Sequence, residues 1–235
     1  MYKRQIFNTP HNPSGRVFTR EELDTIAALC REHGVVAISD EIYEHMTYDA
    51  HEHVPIATLP GMRERTITIS GLSKSYAATG WRVGWAHAPA ELTEALRKVH
   101  DFTTICAPAP LQQASVTAVR LPDAYYRELR AWYRERRDRT VAILRAAGFE
   151  AEPPEGAYYL MAGIAGPAER AGTGDDDVAF ATWAIDELGV GTVPGSSFYR
   201  SDPSLGRGRV RVAFPKSDAT LDEVERRLAP LRSGA

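Results

Sequence analysis

The sequence predicts an α/β fold on a parallel or mixed sheet, followed by a smaller α+β part. Three observations predict it. Short apolar runs such as "VVAIS" and "RTITIS" alternate with helical patterns in the first half, as they do in chains of βα units. Two chemically capable residues, Asp40 and Lys74, follow the ends of such runs, where open α/β sheets gather ligand groups. Past a long charged helix, the pattern changes to separated strands, loops and shorter helices.

Each element has its own local reason. The chain begins "MYKRQ", then the apolar pair Ile6-Phe7 and the turn-rich stretch "NTPHNPSG". A strand normally takes about five residues, so this one reads as cut short. Residues 1–5 are expected to be foreign, and the chain to be part of a longer protein. "TREELDTIAALCREHG" reads as a helix, with Thr19 and Glu22 as a capping box and Gly34 as the stop. Val35–Ser39, Arg65–Ser70 and Arg82–Ala88 read as strands. Pro89 opens a helix to about Phe102, and another covers about Pro110 to Arg120. Pro122 opens the long charged helix closed by Gly148, with Leu129, Trp132, Ile143 and Leu144 expected inward. Then come a strand over Gly156–Ile164, a Gly/Pro/Asp-rich loop to Asp177, and a helix ending at Gly189. A strand over Gly208–Phe214 follows, and the last helix carries Thr220 and Glu223 as a second capping box.

Composition excludes several classes. The 235 residues carry a net charge of −3 with acids and bases interspersed, unlike the basic face of a nucleic-acid binder. No apolar run is long enough for a membrane span, and the start lacks a signal-peptide apolar region. Cys30 and Cys106 are too few for a disulfide framework or a zinc site. A cytoplasmic setting is expected. His51 and His53 in "HEH" have no ligand partners at metal spacing and read as a surface loop.

The candidate chemistry centres on "SGLSKSYAATGWRVGW", Ser70 to Trp85. A lysine amine attacks carbonyls when its charged form is disfavoured by a partly dry pocket or a nearby cation. The phosphate loop of NTPases needs glycine directly before the lysine, and Ser73 stands there instead. Asn12 lies in a Pro-flanked turn that fixes its side chain. Asp40 follows a buried strand and needs a partner, such as a protonated pyridine nitrogen. Tyr43 lies three residues on, within reach if the chain turns helically.

Taken in order, Asn-Pro-x-Gly, Asp-x-x-Tyr, Ser-Lys and Gly-Trp-Arg-x-Gly resemble the class I/II pyridoxal-phosphate-dependent aminotransferases of type I, aspartate-aminotransferase fold. "NTPHNPSG", "SDEIYEH" and "TICAPAPLQ" resemble the branch with kynurenine, glutamine–phenylpyruvate and methionine-type aminotransferases. The resemblance implies the C-terminal half of a large PLP-binding, mixed-sheet domain over residues 6–130, and a small α+β C-terminal domain over 131–235. It implies Lys74 as the catalytic residue, holding pyridoxal 5'-phosphate as a Schiff base and moving a proton. Asp40 would pair with the pyridine nitrogen, Asn12 and Tyr43 would bond the phenolate oxygen, and Arg82 would pair with the phosphate. The family serine three before the lysine is Gly71 here; Ser70 is favoured for the phosphate, with Ser73 bonding locally. Arg211 in "RVRVAF" would clamp the substrate carboxylate, although Arg209 shares its strand face.

The implied activity moves an amino group between an amino acid and a 2-oxo acid in a homodimer, without nucleic-acid or membrane partners. The resemblance also implies a missing N-terminal part that would supply backbone amides to the phosphate and an aromatic residue over the ring. The chain alone is therefore expected to be weakly active or inactive, with exposed sheet edge and dimer surface. Two other functions share these residues: a carbon–sulfur β-lyase, and the cofactor-binding sensor domain of a transcriptional regulator.

Overall fold

A computed structural model of the protein describes residues 3–232. The chain forms two compact units. The first takes the chain up to His11 together with Arg16–Arg130; the second takes Asn12–Gly15 and the chain from Ala131 onward.

The first unit carries a four-stranded sheet in the order β1 (Arg4–Asn8), β2 (Val36–Asp40), β3 (Thr66–Gly71), β4 (Gly84–His87). β1, β2 and β3 are parallel, and β4 runs antiparallel to β3. Asn8 is level with Asp40, and Asp40 with Ile69. The carboxyl ends of three strands therefore share one edge of the sheet, as the expected position of Asp40 and Lys74 requires. Arg4 and Gln5, from the pentapeptide expected to be foreign, pair with Val36 and Ala37 within β1; residues 1–2 of that pentapeptide lie outside the described residues.

Helix α1 (Arg20–Glu32) starts at the anticipated capping box: the Thr19 side chain accepts from the Glu22 amide while the Glu22 side chain reaches back. Its buried face, Leu23, Ala27 and Cys30, packs with Ala37 of β2 and with Ile56, Leu59 and Met62. Fully burying side chains of this size is worth about 1.5–3 kcal/mol each, which fixes the sheet beneath the site. Ile6 and Ile69 are exposed. Helix α2 (Ala90–Thr103) buries none of its residues. It borders a groove of about 700 Å³ lined by Ile38, Ile67, Leu92, Leu96 and Val99. Val99, Phe102 and Ile105 are exposed as well. Helix α3 (Ala109–Ala118) follows, then α4 (Asp123–Ala146), within which the first unit ends.

The second unit has an antiparallel three-stranded sheet, β5 (Tyr159–Gly163), β7 (Arg209–Ala213) and β6 (Val193–Pro194), in that order. Helices α5 (Ala165–Ala171), α6 (Asp177–Leu188) and α7 (Asp218–Leu228) complete it. Phe180, Phe214, Leu160, Ile164 and Val210 are fully buried here.

Three local expectations are corrected. Trp132 is 40% exposed rather than inward. The buried positions of α4 include Arg136 and Arg137 beside Ile143 and Leu144. Arg136 donates to the Lys216 carbonyl at 2.9 Å and stacks 3.7 Å from the Trp132 ring centre; Arg137 donates to the Pro154 carbonyl at 3.2 Å. Buried guanidinium groups are tolerated because carbonyls receive their N–H groups. Helix α7 starts a turn earlier than expected: Ser217 is the N-cap and accepts from the Thr220 amide at 3.2 Å. Glu223 instead pairs with Arg226 and Arg227. The loop expected before Asp177 contains α5, whose Pro167 sits in the first turn, where a missing N–H costs nothing.

Candidate active site

In the first unit the site begins where β1 and β2 end. Asn8 Nδ2 and the Thr9 amide both donate to the Asp40 carbonyl, at 2.9 and 3.1 Å. The Glu41 amide donates to the Ile69 carbonyl at 2.8 Å, which ties the end of β2 to β3. The chain then turns helically, with Glu44 N bonded to Glu41 O and Met46 N to Tyr43 O, both at 2.8 Å. This turn buries Tyr43. The Asp40 carboxylate is half-buried and accepts from the Ile42 amide at 3.2 Å. Burial pushes its carboxyl above the usual carboxylate range, the Ile42 N–H pulls it back, Glu41 adds to the rise, and the Lys74 charge opposes it.

Lys74 lies in a tight loop after β3. Leu72 N donates to Val83 O at 3.1 Å, prolonging the β3–β4 pairing. The Leu72 carbonyl accepts from Tyr76 N and Ala78 N, Lys74 O accepts from Ala77 N, and Thr79 Oγ1 donates to Ser73 O at 2.7 Å. Ala77 and Arg82 hold left-handed backbones, φ 51° and 55°. Such conformations cost non-glycine residues about 1–3 kcal/mol each and cluster at functional segments. The half-buried Lys74 places Nζ 6.0 Å from the Tyr43 ring centre. Arg82 is exposed, and its Nη1 donates to Thr79 O at 3.0 Å. Asp40, Tyr43 and Lys74 thus converge.

Ser70 has a carboxylate partner within the chain. It is buried in β3, and its Oγ donates to Glu44 Oε1 at 2.6 Å. A phosphate brought to this hydroxyl would meet the Glu44 carboxylate, and like charges repel.

In the second unit, Arg211 and Asn12 come together. Arg211 Nη1 donates to Asn12 Oδ1 at 2.9 Å. The guanidinium carbon lies 4.2 Å from the Tyr159 ring centre and 4.9 Å from that of Phe198. Arg211 Nε is buried with no hydrogen-bond partner. Arg209, on the same strand face, is exposed, so burial separates two arginines that alternation alone does not.

Glu41 and His53 were not foreseen. Glu41 is fully buried, accepting from Ser39 Oγ at 2.7 Å and contacting His53 Nε2 at 2.8 Å. Strand alternation puts Ser39 and Glu41 on one face, which was the available signal. His53 is therefore a buried partner of a carboxylate rather than a loop-surface residue. No cluster of metal-ligating side chains occurs among the described residues, and no helix among them is long and apolar enough to cross a membrane.

The chain is similar to known aminotransferases over almost its whole length. Mouse kynurenine–oxoglutarate transaminase 1 is 36% identical over 237 residues, covering 95% of this chain and 56% of the mouse protein. The structure of N-succinyldiaminopimelate aminotransferase from Mycobacterium tuberculosis superposes with a TM-score of 0.90 at 39% identity, covering 97% of this chain and 58% of that one. A double mutant of Thermus thermophilus aspartate aminotransferase gives 0.84 at 32% identity, with 97% and 56% covered. The fold is thus the type I, aspartate-aminotransferase fold, and the chain spans little more than half the length of these relatives. The model of aminotransferase class I and II matches residues 3–228, from the first strand to the last helix, and the chain belongs to that family.

Proposed function

We propose that the chain anchors pyridoxal phosphate in an aminotransferase that moves an amino group between an amino acid and a 2-oxo acid. The observation that carries this reading is a half-buried Asp40 carboxylate within the electrostatic reach of the Lys74 amine, which lies 6.0 Å from the Tyr43 ring centre, at the carboxyl ends of β2 and β3. The donor set fits the cofactor. Asp40 receives one backbone N–H, and a carboxylate in this setting is suited to a cationic ring nitrogen. When bound, the cofactor supplies an electron-withdrawing ring that stabilises negative charge at the amino acid's Cα.

The chain's own residues do the rest. Asp40 holds a proton at the ring nitrogen, and the β1–β2 hydrogen bonds at its carbonyl keep it in place. Lys74 supplies the amine for attachment and carries a proton to and from Cα. Tyr43 orients the ring through its phenol. Arg82 supplies a planar fork of donors suited to phosphate. Ser73, next to Lys74, takes the phosphate role in place of Ser70, whose proton goes to Glu44. In the second unit, Arg211 fits a bidentate carboxylate ligand, because Asn12 and two ring faces fix its plane. Asn12 acts there as an orienting residue. A homodimer in the cytoplasm belongs to the same proposal.

The test is amino transfer from a panel of L-amino acids to one 2-oxo acid with pyridoxal phosphate added. It is run on the 235-residue chain and on a longer protein carrying it. Product that appears only with the 2-oxo acceptor supports the proposal. Ammonia and pyruvate released without an acceptor would contradict it and indicate a carbon–sulfur β-lyase.

A further inference from the structure

The loop that carries Lys74 is gripped from outside by two tyrosines at the start of α4. Tyr125 Oη donates to the carbonyl of Ser75, the residue after Lys74, at 2.6 Å. Tyr76, one further on, has its ring parallel to Tyr125, with centres 5.9 Å apart and an interplanar angle of 6°. Its hydroxyl lies 2.6 Å from that of Tyr126. The Tyr126 ring packs at 4.1 Å on His45, which belongs to the turn containing Tyr43. One aromatic cluster therefore touches both segments that carry the proposed chemistry.

The cluster is built to hold rather than to react. Ser75 is buried, so its carbonyl needs a partner, and Tyr125 supplies it over a sequence separation of 50 residues. Burial raises both Tyr76 and Tyr125 above the usual phenol value, and the bond to Tyr126 adds to the rise for Tyr76. Both hydroxyls thus stay protonated and able to donate at any working pH. The same loop contains left-handed Ala77, a conformation that persists only where surrounding contacts impose it.

We propose that Tyr125 is a positioning residue for Lys74: its hydroxyl, through the Ser75 carbonyl, holds the loop so that the amine stays beside the Tyr43 ring and within reach of the Asp40 charge. Tyr76 and Tyr126 lock the same grip from its side. The inference rests on the role of Lys74 proposed above.

The test is Tyr125→Phe, which removes one oxygen and keeps the ring stacked on Tyr76. Two measurements need no cofactor. Amide hydrogen exchange reports the loop, and the pH profile of Lys74 acetylation by acetic anhydride reports the amine facing Asp40 and Tyr43. One neutral hydrogen bond is worth about 1 kcal/mol, so exchange at Ser75–Ala78 should rise about fivefold while α1 and β2 are unchanged. The acetylation profile of Lys74 should shift while that of exposed Lys98 does not, because a loosened loop changes the distance of the amine from Asp40 and the Tyr43 ring. Tyr126→Phe should give a smaller effect in the same direction. Unchanged exchange at the loop, or faster exchange with an unmoved acetylation profile, would overturn the inference. Failure of the unmodified chain to take up pyridoxal phosphate at Lys74 would count against the proposed function instead, since neither measurement here depends on it.

Discussion

His53→Leu should destabilise the first unit by about 3 kcal/mol. The Glu41 side chain is 1% exposed, and that of His53 is 6% exposed. Their contact is 2.8 Å, and the other Glu41 oxygen accepts from Ser39 at 2.7 Å. Leucine fills most of the imidazole volume, so the change removes a polar partner and opens little cavity. Leaving a buried polar oxygen without its partner costs about 1–3 kcal/mol, and more for a charged group; the near-complete burial of Glu41 sets the expectation at the upper end. With a urea slope of about 2 kcal/mol per M, the midpoint falls by about 1.5 M. Two compact units need not melt together, so the assay uses a Trp132→Phe/Trp183→Phe background, in which Trp81 and Trp85 report the first unit alone. Adding Glu41→Gln to His53→Leu should recover part of the loss, since an amide is cheaper to bury than a carboxylate. A loss below about 1 kcal/mol for His53→Leu would refute the view that Glu41 depends on this partner.

Two further outcomes follow from the same geometry. The raised Asp40 carboxyl favours the folded state fully below its unfolded value, and that contribution fades as pH rises through the higher folded value. Asp40→Asn should therefore stabilise the cofactor-free chain near neutral pH and not in acid, while abolishing the melting-temperature gain from added pyridoxal phosphate; equal urea midpoints across pH would contradict this. Gly15 has φ 72°, and a Cβ there would collide with the Cβ of Pro154 and lie 2.8 Å from the Tyr159 carbonyl. Gly15→Ala should cost about 2 kcal/mol or more by Trp132 and Trp183 fluorescence, and a cost under about 0.5 kcal/mol would show that the loop adjusts freely.

What sequence reasoning reads well here is local. The α1 capping box is made by residues three apart, and the strands ending at Asp40 and near Lys74 are marked by short apolar runs. The order of Asn12, Asp40, Tyr43, Lys74, Arg82 and Arg211 carries the family pattern. What it misses depends on distant partners. Arg136 and Arg137 are buried because the carbonyls of Lys216 and Pro154 receive them, and nothing in the α4 periodicity encodes that. Ser70 looks available until Glu44, 26 residues earlier, is seen to accept its proton. Arg209 and Arg211 are equivalent by alternation, and only the packing of Tyr159 and Phe198 against Arg211 makes their surroundings differ. Ser217 and Thr220 both open acceptable helix starts; Glu223 is drawn to Arg226 and Arg227, and Ser217 becomes the cap.

The central claim is that Lys74 is the cofactor's covalent anchor. The direct measurement is to add pyridoxal phosphate to the chain, reduce with borohydride and map the label by peptide mass spectrometry. The chain has four lysines, Lys3, Lys74, Lys98 and Lys216, so the others serve as internal controls. The expected result is saturable labelling on the Lys74 peptide, lost in Lys74→Ala and weakened in Asp40→Asn. Label spread without preference, with the highly exposed Lys98 carrying as much as Lys74, would contradict it.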